Sequence, residues 1–322
     1  MPRWWNVLSR HKVVSHKGLW RYSIAVLLLF ACWPTVRWYG KRMMDGSDEP
    51  WGVLALGAAL LFAVLGRKRA MPSWRYLLAA ACLLVPVFSA MVMTPLIQAL
   101  FVALALAALL ADGRVWLGHT GLFVLALPLI SSLQFYGGFP LRWVIGKLSA
   151  AVLSALGWAV ESQGTVMLWR GEMIVIDAPC SGVQMLWSSA FLACLMICMQ
   201  KPGLRGAVLL LQVASLTAFL GNVVRNVLLF FLESGIVAMG DWAHDGAGLG
   251  VFAIVLTTIV GVGSRFKKGM FVEVPQREES GFRRWGHPAF LLLLIGVLAV
   301  GNIDTASALP EGKIVRTDIA DT

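Results

Sequence analysis

The sequence predicts an all-α polytopic membrane protein, a bundle of about eight or nine transmembrane helices with a short extracytoplasmic amphipathic helix and hairpin. Three observations predict it. Of the 322 residues, 58% are hydrophobic and only 14% charged, too little charge to cover a soluble domain of this size. The apolar residues fall in long runs of spanning length. The basic residues cluster in every second connection between those runs, as expected of loops retained in the cytoplasm. Fourteen Trp suit the membrane–water interface. The formal net charge of +10 sits in short loops, where it marks topology and meets anionic lipid. That distribution argues for the lipid bilayer as partner and against nucleic acid.

Taken in order, spans are expected near 22–39, 51–66, 76–93, 95–111, 115–136, 183–200, 206–232 and 247–263. The shorter run 288–303 is read as a ninth, although the stretch from Arg283 to Ala306-Ser307-Ala308 also has the outline of a signal peptide. Arg3, Arg10, Lys12, Lys17 and Arg21 make residues 1–21 a basic cytoplasmic N-terminus. Arg67, Lys68, Arg69 and Arg75, then Arg114, then Lys201 and Arg205, mark the next cytoplasmic turns. Residues 264–287 read as a cytoplasmic linker and 304–322 as a polar extracytoplasmic tail. Residues 141–160 are apolar enough to span, which would reverse this parity. Lys147, Ser154 and Glu161 recur every seven residues there, and the segment is read as an amphipathic helix at the outer interface. After it, Val166 and Leu168, then Met173 and Val175, outline a hairpin turning at Arg170-Gly171. This external element, 137–182, leads directly to Cys180.

Cys32, Cys82, Cys194 and Cys198 lie inside apolar spans and read as small packing residues. Cys180 differs. Cys180-Ser181-Gly182 opens the 183–200 helix, where the positive helix terminus favours a thiolate, the nucleophilic form. Arg225 lies in an otherwise apolar helix, on one face with Asn222 and Asn226 at i−3 and i+1. At about 1.5 Å per residue it is roughly 28 Å from the cytoplasmic start of its span, near the outer boundary. By itself it also fits an arginine snorkelling to headgroups. His244 precedes the 247–263 span in GDWAHDGAG, also at the outer interface, with Asp241 and Asp245 available to orient its ring. A thiol nucleophile, an imidazole acid/base and a guanidinium for an oxyanion make a complete acyl-transfer set. One Cys and one His fall short of a zinc site, so no metal or cofactor is expected.

Ala178-Pro179-Cys180-Ser181-Gly182 opening one helix, Asn222-Val223-Val224-Arg225 in the next and His244 before the third resemble the exosortase/archaeosortase family. The core of the resemblance runs over 115–263, within a transmembrane domain at 22–263. It implies an integral membrane cysteine protease or transpeptidase in a bacterial cytoplasmic (inner) membrane, active on its extracytoplasmic face. Its partners would be membrane-anchored substrate proteins with a C-terminal sorting signal, a short motif such as Pro-Glu-Pro followed by a transmembrane helix and a basic cluster. The resemblance would make Cys180 the nucleophile, Arg225 the transition-state stabiliser and His244 the proton shuttle. Ser181, Gly182, Asn222, Asn226, Asp241 and Asp245 would support them. Two other classes stay open on the residues alone, a transporter with Arg225 lining a path and a non-catalytic envelope-assembly subunit. Both predict that Cys180 is replaceable.

Overall fold

The computed structural model describes residues 16–44, 51–65, 72, 74–89, 93–113, 115–175, 182–237, 242–266 and 295. The N-terminal 1–15, most of the 264–287 linker, the 288–303 run apart from residue 295, and the 304–322 tail lie outside the described residues. So do Cys180, Ser181 and Asp241. Ten helices and three short strands are present among those described: α1 (His16–Ala31), α2 (Trp33–Met44), α3 (Trp51–Leu65), α4 (Trp74–Ser89), α5 (Pro95–Leu110), α6 (Trp116–Leu125), α7 (Ile130–Ala155), β1 (Glu161–Gln163), β2 (Val166–Trp169), β3 (Glu172–Val175), α8 (Val183–Gln200), α9 (Leu204–Glu233) and α10 (Trp242–Ser264). The fold is that of a helical, multi-pass membrane protein. Among the described residues α8, α9 and α10 are each long and apolar enough to cross a membrane, and two bent pairs raise the number to five. The predicted spans at α3, α4 and α5 are helical but only 15, 16 and 16 residues long, or about 22–24 Å against a hydrocarbon core of about 30 Å.

Two predicted spans are broken, and proline explains both. Residues 22–39 divide at Cys32 into Trp20–Ala31 and Trp33–Met44, bent by 79°. Pro34 lies in the first turn of α2, where its missing N–H costs nothing. Residues 115–136 divide into α6 and α7, bent by 93°. Pro128 lacks an N–H and disfavours a helical Leu127. The break frees carbonyls that a membrane interior cannot leave bare. Trp187 Nε1 donates to Leu125 O at 3.3 Å and Tyr39 Oη to Ala126 O at 2.9 Å. The separate amphipathic helix at 141–160 is therefore corrected. It is the second half of a 26-residue helix that runs through Gly137-Gly138 and Pro140. Its Ile145, Gly146, Ser149 and Leu153 are buried, and Ser149 Oγ donates to Val223 O of α9 at 3.4 Å. This face packs on protein, while Lys147 and Leu148 are exposed.

The chain divides into two compact units, one of 1–38, 68–105 and 279–322 and the other of 39–67 and 106–278. In the first, Ile24, Leu28, Ala79, Ala80 and Leu83 are buried, as is Arg21, which donates to Tyr22 Oη at 3.0 Å. The second holds every described residue of the predicted site. Its core joins α8, α9 and α10 through Met185, Ile197, Leu210, Ala214, Val251, Val255 and Ile259. Small residues bring α3 and α6 close to their neighbours. Gly52, Ala55, Ala59 and Ala63 form one buried line on α3, and the buried His119 Nε2 lies 2.7 Å from Ala59 O.

The hairpin appears as read. β2 and β3 pair antiparallel with Trp169 opposite Glu172, joined by Arg170 and Gly171 at φ 51° and 87°. Two left-handed residues in a two-residue loop match the twist of the strands they join. A third strand, β1, pairs with β2 and was not expected. The sheet packs Met167 and Ile174 against Leu229 and Phe230, near the end of α9. Trp158 and Trp169 stand edge-on to Phe230, 6.3 and 5.7 Å away between centroids. This aromatic wedge fixes the sheet at the end of α9 that carries Arg225.

Candidate active site

Gly182 begins the site. It is the residue before α8 and holds φ 80°, a left-handed conformation that side chains with a Cβ resist. A Cβ there would meet Asn222 Nδ2 at 2.6 Å and Asn222 Cγ at 2.8 Å. The chain entering α8 is thus seated directly on the Asn222 side chain. Asn222 is 1% exposed and Asn226 3%. Asn226 Nδ2 donates to Asn222 O at 2.8 Å, so the second amide belongs to the helix that presents the first. The predicted grouping of Asn222, Arg225 and Asn226 on one face resolves into two roles. The amides are buried in the α8–α9 seam and Arg225 stands at its edge.

Arg225 reaches toward α10. A Cβ at Gly248 would lie 3.3 Å from Arg225 Nε and 3.7 Å from Nη2. The guanidinium therefore lies over the space that a side chain at position 248 would enter, and a larger residue there would press on it. It lines a cleft of about 610 Å³ together with Gly182, Gln184 and Ser188 of α8 and Asp245, Gly248 and Leu249 of α10. Trp51, Ile130 and Trp187 form the apolar side of the cleft. Trp187 is held there by its bond to Leu125 O and by stacking on Phe191 at 5.4 Å and 15°. The positive end of α8 and one guanidinium thus face a common, mostly apolar space. Such a space strengthens any interaction with developing negative charge.

His244 is placed differently from its expected position. It stands in the first turn of α10, which starts at Trp242 and not near 247. It is not among the residues lining the cleft; its neighbour Asp245 is. Its Nδ1 lies 3.7 Å from Oε1 of Glu233, the last residue of α9, with the side chains 45% and 38% exposed. Sequence reasoning offered Asp241 and Asp245 as the ring's partners and missed Glu233, which read only as the end of an apolar span. The available signal was spacing, since Glu233 falls 11 residues, about three turns, after Asn222 on the same line of α9. Among the described residues no group of three or more His, Cys, Asp or Glu could hold a metal ion.

A family model described as "Transmembrane exosortase (Exosortase_EpsH)" matches residues 10–261. The chain belongs to the transmembrane exosortase family. The match reaches into both compact units and runs nearly to the end of α10, so the residues that line the cleft lie within the matched range. No curated protein matches the chain, and no solved structure does.

Proposed function

We propose that this exosortase-family chain is a membrane-embedded cysteine protease/transpeptidase that processes membrane-anchored proteins bearing a C-terminal sorting signal. One observation carries the reading. Gly182, two residues after Cys180, lines the same cleft as Arg225 and Gly248, and His244 stands one turn before Gly248. The reading puts Cys180 beside this cleft, a distance that two residues of chain, at most about 7 Å, allow. In the reaction, the Cys180 thiolate adds to the scissile carbonyl and Arg225 stabilises the oxyanion. Collapse forms a thioester, and His244 gives its proton to the leaving amine. Water, or an amine or hydroxyl acceptor deprotonated by His244, then releases the acyl group. Ser181 and Gly182 shape the nucleophile's turn, Asn222 and Asn226 seat it, and Asp241 and Asp245 add acidic character beside His244.

The proposed setting is a bacterial inner membrane crossed eight or nine times. The shorter apolar helices α3–α5 and the 288–303 run would complete the crossings by local thinning, with 264–287 cytoplasmic, 304–322 outside and the site on the extracytoplasmic face. The test is co-expression with a reporter carrying a motif–helix–basic tail. C-terminal processing is expected with the wild-type chain and lost with Cys180→Ala and Cys180→Ser. Cys194→Ala and Cys198→Ala are expected to retain it. Full processing by Cys180→Ala would return the chain to the transporter or scaffold class.

A further inference from the structure

Glu233 ends α9 in an unfavourable place. A carboxylate in the last turn of a helix meets the negative end of the helix dipole. Asp245 has the opposite situation, since it lies in the first turn of α10 where the dipole welcomes an acid. Consecutive helical residues project about 100° apart. Asp245, which lines the cleft, therefore points away from the direction in which its neighbour His244 meets Glu233 Oε1 at 3.7 Å. That distance lies beyond a direct hydrogen bond and within ion-pair reach. Hydrogen bonds of acid/base groups are often this long in an unliganded site and tighten when substrate binds. Glu233 also stands in register with the buried amides that seat the Gly182 turn. Asn222, Asn226 and Glu233 follow one line along α9 at steps of four and seven, while Arg225 flanks that line. One rigid helix thus carries the seat for the Gly182 turn, the guanidinium and the carboxylate that reaches His244.

We propose that Glu233 is the positioning residue for His244. It accepts from Nδ1–H, fixes that tautomer and leaves Nε2 free to carry a proton. The proposal rests on the reading of His244 as the acid/base group. It assigns to Glu233 the orienting role that neighbouring sequence positions would give to Asp241 or Asp245.

The test uses the full-length chain with 15N-labelled histidine in lipid nanodiscs, His244 being assigned by its loss in His244→Gln. Long-range 1H–15N correlation reads the neutral tautomer. Nδ1–H is expected as the major form in the wild type. In Glu233→Ala the ring should revert to the Nε2–H form that a free imidazole prefers, while Glu233→Asp and Glu233→Gln, which keep an acceptor, should hold Nδ1–H in part. In reporter processing, Glu233→Ala should lower kcat about tenfold or more with KM changed less than about twofold, and Glu233→Asp should recover part of the rate. A tautomer unmoved by Glu233→Ala, or moved instead by Asp241→Asn or Asp245→Asn, overturns the proposal. A reversed tautomer with full kcat also overturns it. If His244→Gln then keeps full kcat as well, the failure lies in the role given to His244 itself.

Discussion

Arg225 is where a bland and a functional role diverge most sharply at the scale of one residue. A snorkelling cation needs a long stem and a positive head, and Lys supplies both. A guanidinium held over Gly248, where an added Cβ would come within 3.3 Å of Nε, presents a planar fork of donors that an ammonium cannot reproduce. Loss of one oxyanion donor typically costs about 100- to 1000-fold in rate. Arg225→Lys is therefore expected to slow processing at least about tenfold in a time course with matched folded protein, and near-wild-type kinetics would withdraw the oxyanion role. Gly248→Ala tests the same geometry without touching the charge. Its Cβ would press on Nε, so the rate should fall while thermal stability in detergent changes by less than about 1 kcal/mol, because the neighbour is the movable end of a side chain. Gly182→Ala differs, because it combines a φ of 80° with a 2.6 Å approach to Asn222. Roughly 1–3 kcal/mol of backbone strain is expected there, with loss of activity that Asn222→Ala does not restore. Restoration by Asn222→Ala would show that the close approach, and not the conformation, is what demands glycine.

At the scale of elements, periodicity and punctuation decided how much could be read in advance. The α8 span was legible to the residue because Gly182 opens it and polar Gln200-Lys201 ends it. The β2–β3 turn was legible because Arg170-Gly171 leaves little other choice. The α6–α7 corner was not, because Pro128 sits in an apolar run whose hydropathy alone continues to 136. What permits the break is tertiary, in that Tyr39 and Trp187 come from distant segments to satisfy Ala126 and Leu125 carbonyls. Glu233 was missed for the same reason, since its meaning lies in the helix packed beside it and not in its own surroundings. The packing of α6 on α8 gives a direct test of such contacts. A Cβ at Gly121 would lie 2.5 Å from Cys194 Sγ and 3.8 Å from its Cβ. Gly121→Ala should therefore destabilise the folded chain by about 1–3 kcal/mol. Cys194→Ala removes the obstructing sulfur and leaves ordinary contact. The double variant should recover most of the loss, as a non-additive pair in contact does. Unfolding midpoints in one detergent for the four proteins would measure the coupling, and additive losses would mean that the helices separate instead of clashing.

For the chain as a whole, the orientation of α8 to α10 determines which compartment the chemistry serves. α9 has 30 residues, about 45 Å at 1.5 Å per residue, more than the roughly 30 Å of a hydrocarbon core. It is long enough for its two ends to reach opposite interfaces. Lys201 and Arg205 stand at its start, and the sheet, Arg225 and Glu233 belong to its other half. The basic turn is expected to remain in the cytoplasm, and the cleft would then lie on the far side. The bent α6–α7 pair makes this worth measuring, because its parity cannot be counted as a simple span. In a background stripped of native cysteines, Gly203→Cys should react with an impermeant maleimide only after the membrane is opened. Arg170→Cys, in the hairpin turn at the cleft end of α9, should react in intact cells. Because the two positions lie at opposite ends of α9, labelling must be reciprocal if the helix crosses. Labelling of both from outside would mean that α9 does not cross. Reversed labelling, with position 203 outside and position 170 inside, would put the cleft in the cytoplasm. Either result would remove the extracytoplasmic sorting reaction even if Cys180 proved to be a nucleophile.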